Sequence, residues 1–351
     1  VDYSKCARVD PGSTVSVNLL DGIVEGDIYG GGEVASVLGS TAVTVKGGTV
    51  WGNVYGGGRE GIVKNDTMVT VDGGTIQENV YGGGKEGIVE GRTTVNIVSG
   101  IIGKSVFGGA QGKVDESGVP GKFVIGGATV NVTGGTVSNL YGGSQRGNDG
   151  PLEGEDVTGG DKQDLIFVNL VGGTVNGRVF GGSYRGTVNG STHLHIGAGA
   201  IGKCKYYASH TEDNPRLSSD NALSISGSVY AGGDYGDGRQ DYETITVNGY
   251  SHVYIDGEGY AFDSSSGNPK MTLEGGVFGS GASCDAGDVR LVTLEKFGSS
   301  SGAEVAGKIL SIQRADQVRL IDSHVRLSGQ KDVANENQQA SYSLNRIGNH
   351  G

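Results

Sequence analysis

Proline is scarce, 5 among 351 residues, and tryptophan occurs once. So little proline beside 69 glycines excludes collagen, which needs glycine at every third position with abundant proline. It equally excludes a disordered Pro-Gly tract. Cysteine is almost as rare: Cys6, Cys204 and Cys284 lie far apart, which makes neither a disulfide framework nor a metal quartet. At least one must be unpaired within the chain, and buried free thiols are expected. There is no surplus of positive charge. Lys+Arg number 27 and Asp+Glu 39, a net charge of −12, which speaks against a nucleic-acid partner while being too small per residue to imply disorder. No apolar run approaches the roughly 18 residues of a membrane helix, so no membrane insertion by this segment is expected. No signal-peptide core is present and the first residue is Val1 rather than Met, so a piece of a longer protein is expected.

What the chain has in excess is repetition. An apolar residue, an aromatic and two or three small residues recur as Ile28-Tyr29-Gly30-Gly31-Gly32, Val54-Tyr55-Gly56-Gly57-Gly58, Val80-Tyr81-Gly82-Gly83-Gly84 and Val106-Phe107-Gly108-Gly109-Ala110. A second motif keeps step upstream: Val17-Asn18-Leu19, Val43-Thr44-Val45, Val69-Thr70-Val71 and Val95-Asn96-Ile97. Both advance by about 26 residues each time, a period of the kind that marks repeat architectures. Downstream the same units return around Tyr141, Phe180, Tyr230 and Phe278 with wider spacing. The extra residues have loop composition and fall near 115–121, 147–164, 210–221 and 257–269.

Alternation over three to five positions rich in β-branched residues and bounded by glycine is strand grammar. Helical repeats need longer runs at a period of 3.6 without interior glycine. Three short strands and three turns account for about 26 residues, so the fold class expected is all-β, a parallel β-solenoid. A right-handed coil is the commoner hand for parallel crossovers. A propeller is the alternative, but its blades need roughly 40–45 residues. Val43 and Val45 should face inward and Thr44 outward. A lone coil cannot offset the entropy of ordering 26 backbones, so stability must belong to the array. The domains read as coils over 1–288 with inserted loops, then coils of a different type over 289–351.

Stacking turns sequence positions into columns about 4.8 Å apart. The first is Tyr29, Tyr55, Tyr81, Phe107, Tyr141, Phe180, Tyr230 and Phe278; interchange of Tyr and Phe favours packing over a glycan platform. The second, on the outer face of the first strand, is Asn18, Thr44, Thr70, Asn96, Asn131, Asn169 and then His195, read as a solvated polar face. A third follows the glycines: Glu33, Arg59 and Lys85, then less regularly Lys113, Arg146 and Arg185.

Catalytic patterns are thin. Polysaccharide lyases and hydrolases on parallel β-helices want clustered or paired carboxylates on the outer face, where this chain carries Asn and Thr. Its acids gather in loops instead, with Asp149, Glu153, Asp156, Asp234 and Asp237 as weak candidates for Ca²⁺; no other cofactor is indicated. Gly232-Gly233-Asp234-Tyr235-Gly236-Asp237 brushes once against a calcium-binding nonapeptide. His193 and His195 share one strand face without an evident third ligand.

The Val-Tyr-Gly-Gly-Gly and Gly-Gly-Thr-Val stretches, with Ser311-Ile312-Gln313-Arg314-Ala315-Asp316 and Tyr342-Ser343-Leu344-Asn345-Arg346-Ile347, resemble segments of very large, repeat-rich surface proteins of anaerobic gut bacteria. The resemblance covers nearly all of the chain through scaffold motifs. It implies an extracellular or cell-surface, non-enzymatic rod, an adhesin stalk or filament, and transfers no catalytic residue. Neighbouring coils of the parent protein or other copies end to end are the expected partners, with host or microbial glycans or proteins beyond them. The alternative is a carbohydrate-active or carbohydrate-binding β-helix module using the inserted loops.

Overall fold

The computed structural model describes residues 10–113, 121–151, 164–197, 221–236, 245–257, 271–286, 289–295, 308–309, 311–321, 326–327 and 347–349. Among these residues there is no helix, and nearly all strands belong to one large parallel sheet, an architecture consistent with a β-solenoid. No helix is long and apolar enough to cross a membrane.

Three strand positions recur along the stack from Thr14 to Phe278. The first runs from Thr14–Leu19 to Ser40–Val45 with Val17 opposite Val43 and Asn18 opposite Thr44. It continues through Val69, Val95, Val130, Val168, Leu194, Val253, Val292 and Val318 in unbroken parallel register. The second begins at Ile23–Val24 and Thr49–Val50, and the third at Ile28–Tyr29 and Val54–Tyr55. The C-terminal strands join the same sheet, since Arg290–Glu295 pairs with Ser251–Asp256 and Ile312–Gln313 with Val277–Phe278. The aromatic column stops there because Gln313 stands next in line after Phe278.

Period-two alternation decides which side chains go in. Val43, Val45, Val69 and Val71 are buried in the main core while Thr44 and Thr70 lie on the other face, as alternation along a strand requires. A hydroxyl adds a polar tie between strand positions on three early rungs. Thr41, Thr67 and Thr93 donate to the carbonyls of Gly56, Gly82 and Gly108 at 2.5, 2.6 and 2.6 Å.

The corner between first and second strands needs glycine for its backbone. Gly22, Gly48, Gly74, Gly100, Gly135 and Gly173 all have positive φ, between 72° and 100°, a region that costs L-residues with a Cβ. From Gly48 upward a Cβ would also strike the rung beside it.

A fourth column runs down a separate side: Val37, Val63, Val89 and Val124 meet by single parallel bridges, and Asp149, Val188 and Val247 follow. The expected loop 147–164 is therefore corrected at its start. Gly147–Asp149 is a strand paired with Gly121–Val124, and Gly121 likewise belongs to a strand rather than to the loop before it. Residues 152–163, 198–220 and 258–270 lie outside the described residues.

Candidate functional site

Each aromatic of the first column follows a core-facing residue, so its ring points away from the main core. The Gly-rich turn that follows folds over it, and Tyr55, Tyr81, Phe107, Tyr141 and Phe180 form a second apolar cluster. Rings from Tyr29 to Phe278 stack at centroid separations of 4.5–5.1 Å with interplanar angles of 3–15°. From Tyr55 to Tyr230 each ring is covered on both faces by its neighbours, which favours packing over a glycan platform there. The hydroxyls are used internally: Tyr55 donates to Gln111 at 2.7 Å and Tyr81 to Gln145 at 2.8 Å, each further along the stack. Burial pushes the Tyr55 and Tyr81 phenols well above their ordinary range.

Those glutamines correct the third expected column. Backbone bonding places Gln111 beyond Lys85, then Gln145 and Tyr184. Lys113 and Arg146 belong to other positions. Inter-rung ion pairs remain at the exposed surface, Glu33 with Arg59, Lys64 with Glu90, and Lys113 with Glu86; such pairs contribute about 0–1 kcal/mol.

A ladder that sequence reading missed precedes the aromatic motif. The Asn53 amide donates to Asp27 at 3.0 Å and the Asn79 amide to Asn53 at 3.1 Å, while each acceptor oxygen also takes the backbone N–H of the next rung. Burial works to raise the Asp27 carboxyl, but the Asn53 and Tyr29 bonds outweigh it and hold the group below its ordinary value. Asp27, Tyr29, Glu33, Arg59 and Lys85 line an open notch of about 490 Å³.

The outer polar column changes character along its length. Asn18 is exposed, Thr44, Thr70, Asn96 and Asn131 are half-buried, and Asn169 and His195 are buried. The solvated-face reading therefore holds for the early rungs and is corrected for the later ones. Amides chain the middle together, with Asn131 donating to Asn96 at 2.9 Å and Asn169 to Asn131 at 2.8 Å. Beyond them the structure brings a third histidine, His252, opposite His193. Their rings are 6.2 Å apart, and those of His193 and His195 are 6.5 Å apart. His252 Nε2 meets Thr293 Oγ1 at 3.0 Å. Burial, reinforced by His193, His195 and Arg319, pushes the His252 pKa well below its usual value.

Two of the calcium candidates, Asp149 and Asp234, lie among the described residues. Asp149 is fully buried among hydroxyls, whereas Asp234 bonds Ser283 and the Gly236 N–H and pairs with Arg178 at 3.3 Å. Glu153, Asp156 and Asp237 lie outside the described residues, as do Cys6 and Cys204. No group of three His, Cys, Asp or Glu suited to a metal ion occurs among the described residues. Cys284 is buried, and burial pushes its thiol up to about 11.

Comparison with protein-family models, curated proteins and solved structures finds no match for the chain.

Proposed function

We propose that the chain is a non-enzymatic structural rod of the cell exterior, an adhesin stalk or filament segment, built as a right-handed β-solenoid of about 26 residues per coil. One observation carries the reading: first-strand register continues without a break from Val17 to Val318. Polar side chains are spent inside the stack. Asparagine amides bond the next rung, the Tyr55 and Tyr81 hydroxyls reach glutamines beyond it, and the threonine hydroxyls tie strand positions within one rung. Handedness rests on the strong preference of parallel crossovers. About ten coils at about 4.8 Å give a rod near 50 Å long.

Small-angle scattering and electron microscopy of the purified chain test this. Elongated particles of about that length, alone or joined end to end as concentration rises, are expected. A compact particle of equal dimensions in all directions would refute the rod. Turnover of a polysaccharide panel, with unsaturated products that vanish on adding chelator, would overturn the non-enzymatic reading in favour of a carbohydrate-active module.

A further inference from the structure

In the fourth column, every member from Val37 to Val247 except one is valine. The exception is Asp149, paired between Val124 and Val188 and 0% exposed. An acid in an apolar column is costly unless its oxygens are bonded and its charge is met. The oxygens are bonded. Ser144 Oγ donates to Oδ1 at 2.6 Å, while Oδ2 accepts the Ser144 N–H at 2.8 Å and the Ser183 hydroxyl at 2.7 Å.

Both serines occupy the third small-residue position of the glycine turn. Backbone bonding aligns that position through Gly32, Gly58, Gly84, Ala110, Ser144, Ser183 and Gly233. Hydroxyls thus appear only on the two rungs that touch the carboxylate. Among the described residues no cation pairs with it. On the elements packed around it, Lys113 pairs with Glu86 and Arg146 lies near the Tyr81 phenol. The Arg185 guanidinium bonds the Tyr235 and Gly236 carbonyls. The Lys122 side chain is outside the described residues.

We propose that Asp149 is a proton-operated latch in the stack. As a neutral carboxylic acid it completes the valine column and ties the turns at 142–150 and 181–189 together through Ser144 and Ser183. As an anion it leaves an uncompensated charge between Val124 and Val188, and these turns open more often. Serine hydroxyls suit this switch because they rotate, donating to a carboxylate or accepting from a carboxylic acid. Burial pushes the Asp149 carboxyl up to about 6 against the pull of the serine donors, so the change falls between mildly acidic and neutral conditions. The sign follows: the folded form binds the proton more tightly than the unfolded chain, so the latch is tight in acid and weakens as pH rises through about 6. The device is independent of what the outer surface binds.

Hydrogen exchange of the Ser144, Asp149, Gly150 and Asn189 amides, corrected for intrinsic rate and followed from pH 4.5 to 8, reads the opening. The last three bond Thr187, Val124 and Asp149 carbonyls across rungs. Protection should fall by about 25-fold over this range, the part above pH 4.5 of the roughly hundredfold that about two pK units carry at tenfold each. Asp149→Asn should abolish that slope while leaving the exchange of Thr75 and Gly82 as in the parent. Equal protection at both ends of the range, or the same slope in D149N, would overturn the latch. Should D149N fail to fold, the carboxyl ¹³C shift of Asp149 in the parent decides: a midpoint near 6 is required, and one below about 4.5 refutes the proposal.

Discussion

Replacing Gly74 by alanine separates what a rung costs on its own from what it costs in a stack. Two penalties apply at Gly74. Its φ is +72°, where an L-residue loses roughly 1–2 kcal/mol relative to glycine. A Cβ there would also lie 2.8 Å from the carbonyl carbon and oxygen of Gly47 and from the Gly48 oxygen. Ordinary contact begins near 3.4 Å, so the rungs must part by about half an ångström. Overpacking of this kind costs about 1–3 kcal/mol. Gly74→Ala is therefore expected to destabilise by about 2–5 kcal/mol. Gly22 supplies the control, because it stands at the same corner with φ +100° but a Cβ would meet nothing within 4 Å. Gly22→Ala should cost only the backbone share, about 1–2 kcal/mol. Urea unfolding measures both variants globally. Exchange of Thr49, which bonds the Gly22 carbonyl, and of Thr75, which bonds that of Gly48, reads each corner locally. If the two variants lose the same stability, no rung lies against Gly74 and the stacking argument is refuted.

Thr67→Val keeps the shape and removes the buried hydroxyl donated to Gly82 at 2.6 Å, so a loss of about 1–2 kcal/mol is expected. A much larger loss in urea unfolding would be inconsistent with the fold itself, which places Ala128 and Ile166 in the same register position. Arg290 bonds Asp316 at 2.6 and 2.9 Å and Asp285 at 2.8 and 3.0 Å, and Arg290→Gln should cost about 1–3 kcal/mol at pH 7. The Arg290 guanidinium holds the Asp316 carboxyl below its ordinary value. Its stabilisation is therefore present above the unfolded carboxyl range and lost as pH falls through the lower folded value. Stability of the parent should drop more steeply than that of R290Q between pH 4.5 and 2.5; parallel curves would show that the pair contributes nothing.

Columns that repeat at fixed spacing were legible in the sequence, and the aromatic stack is the clearest case. Spacing stops being a guide where a rung changes length. After Lys85 the basic residues Lys113 and Arg146 attract the eye, but hydrogen bonding follows position and selects Gln111 and Gln145. The Tyr55–Gln111 bond was hidden for a related reason, since it spans 56 residues. Asn53 and Asn79 escaped notice because a single amide before a strand carries little pattern of its own; stacking reveals that Asn79 bonds Asn53 and Asn53 bonds Asp27. His252 was separated from His193 by an insertion, so no local motif could join them. Asp149 sat in an acidic, glycine-containing stretch that reads as loop, and its burial depends on two serines whose role appears only when adjacent turns are superposed.

The insertions also bear on how such a chain changes over generations. Asn248 bonds Asn189 at 2.8 Å although 59 residues separate them, while Asn79 reaches Asn53 across only 26. Closing a loop twice as long costs only about 0.6 kcal/mol more. Height along the axis is thus counted in floors and not in residues, so a segment can be spliced into a corner without moving any storey above it. Such corners are places where new surface can be tried out cheaply while the masonry stays as it was.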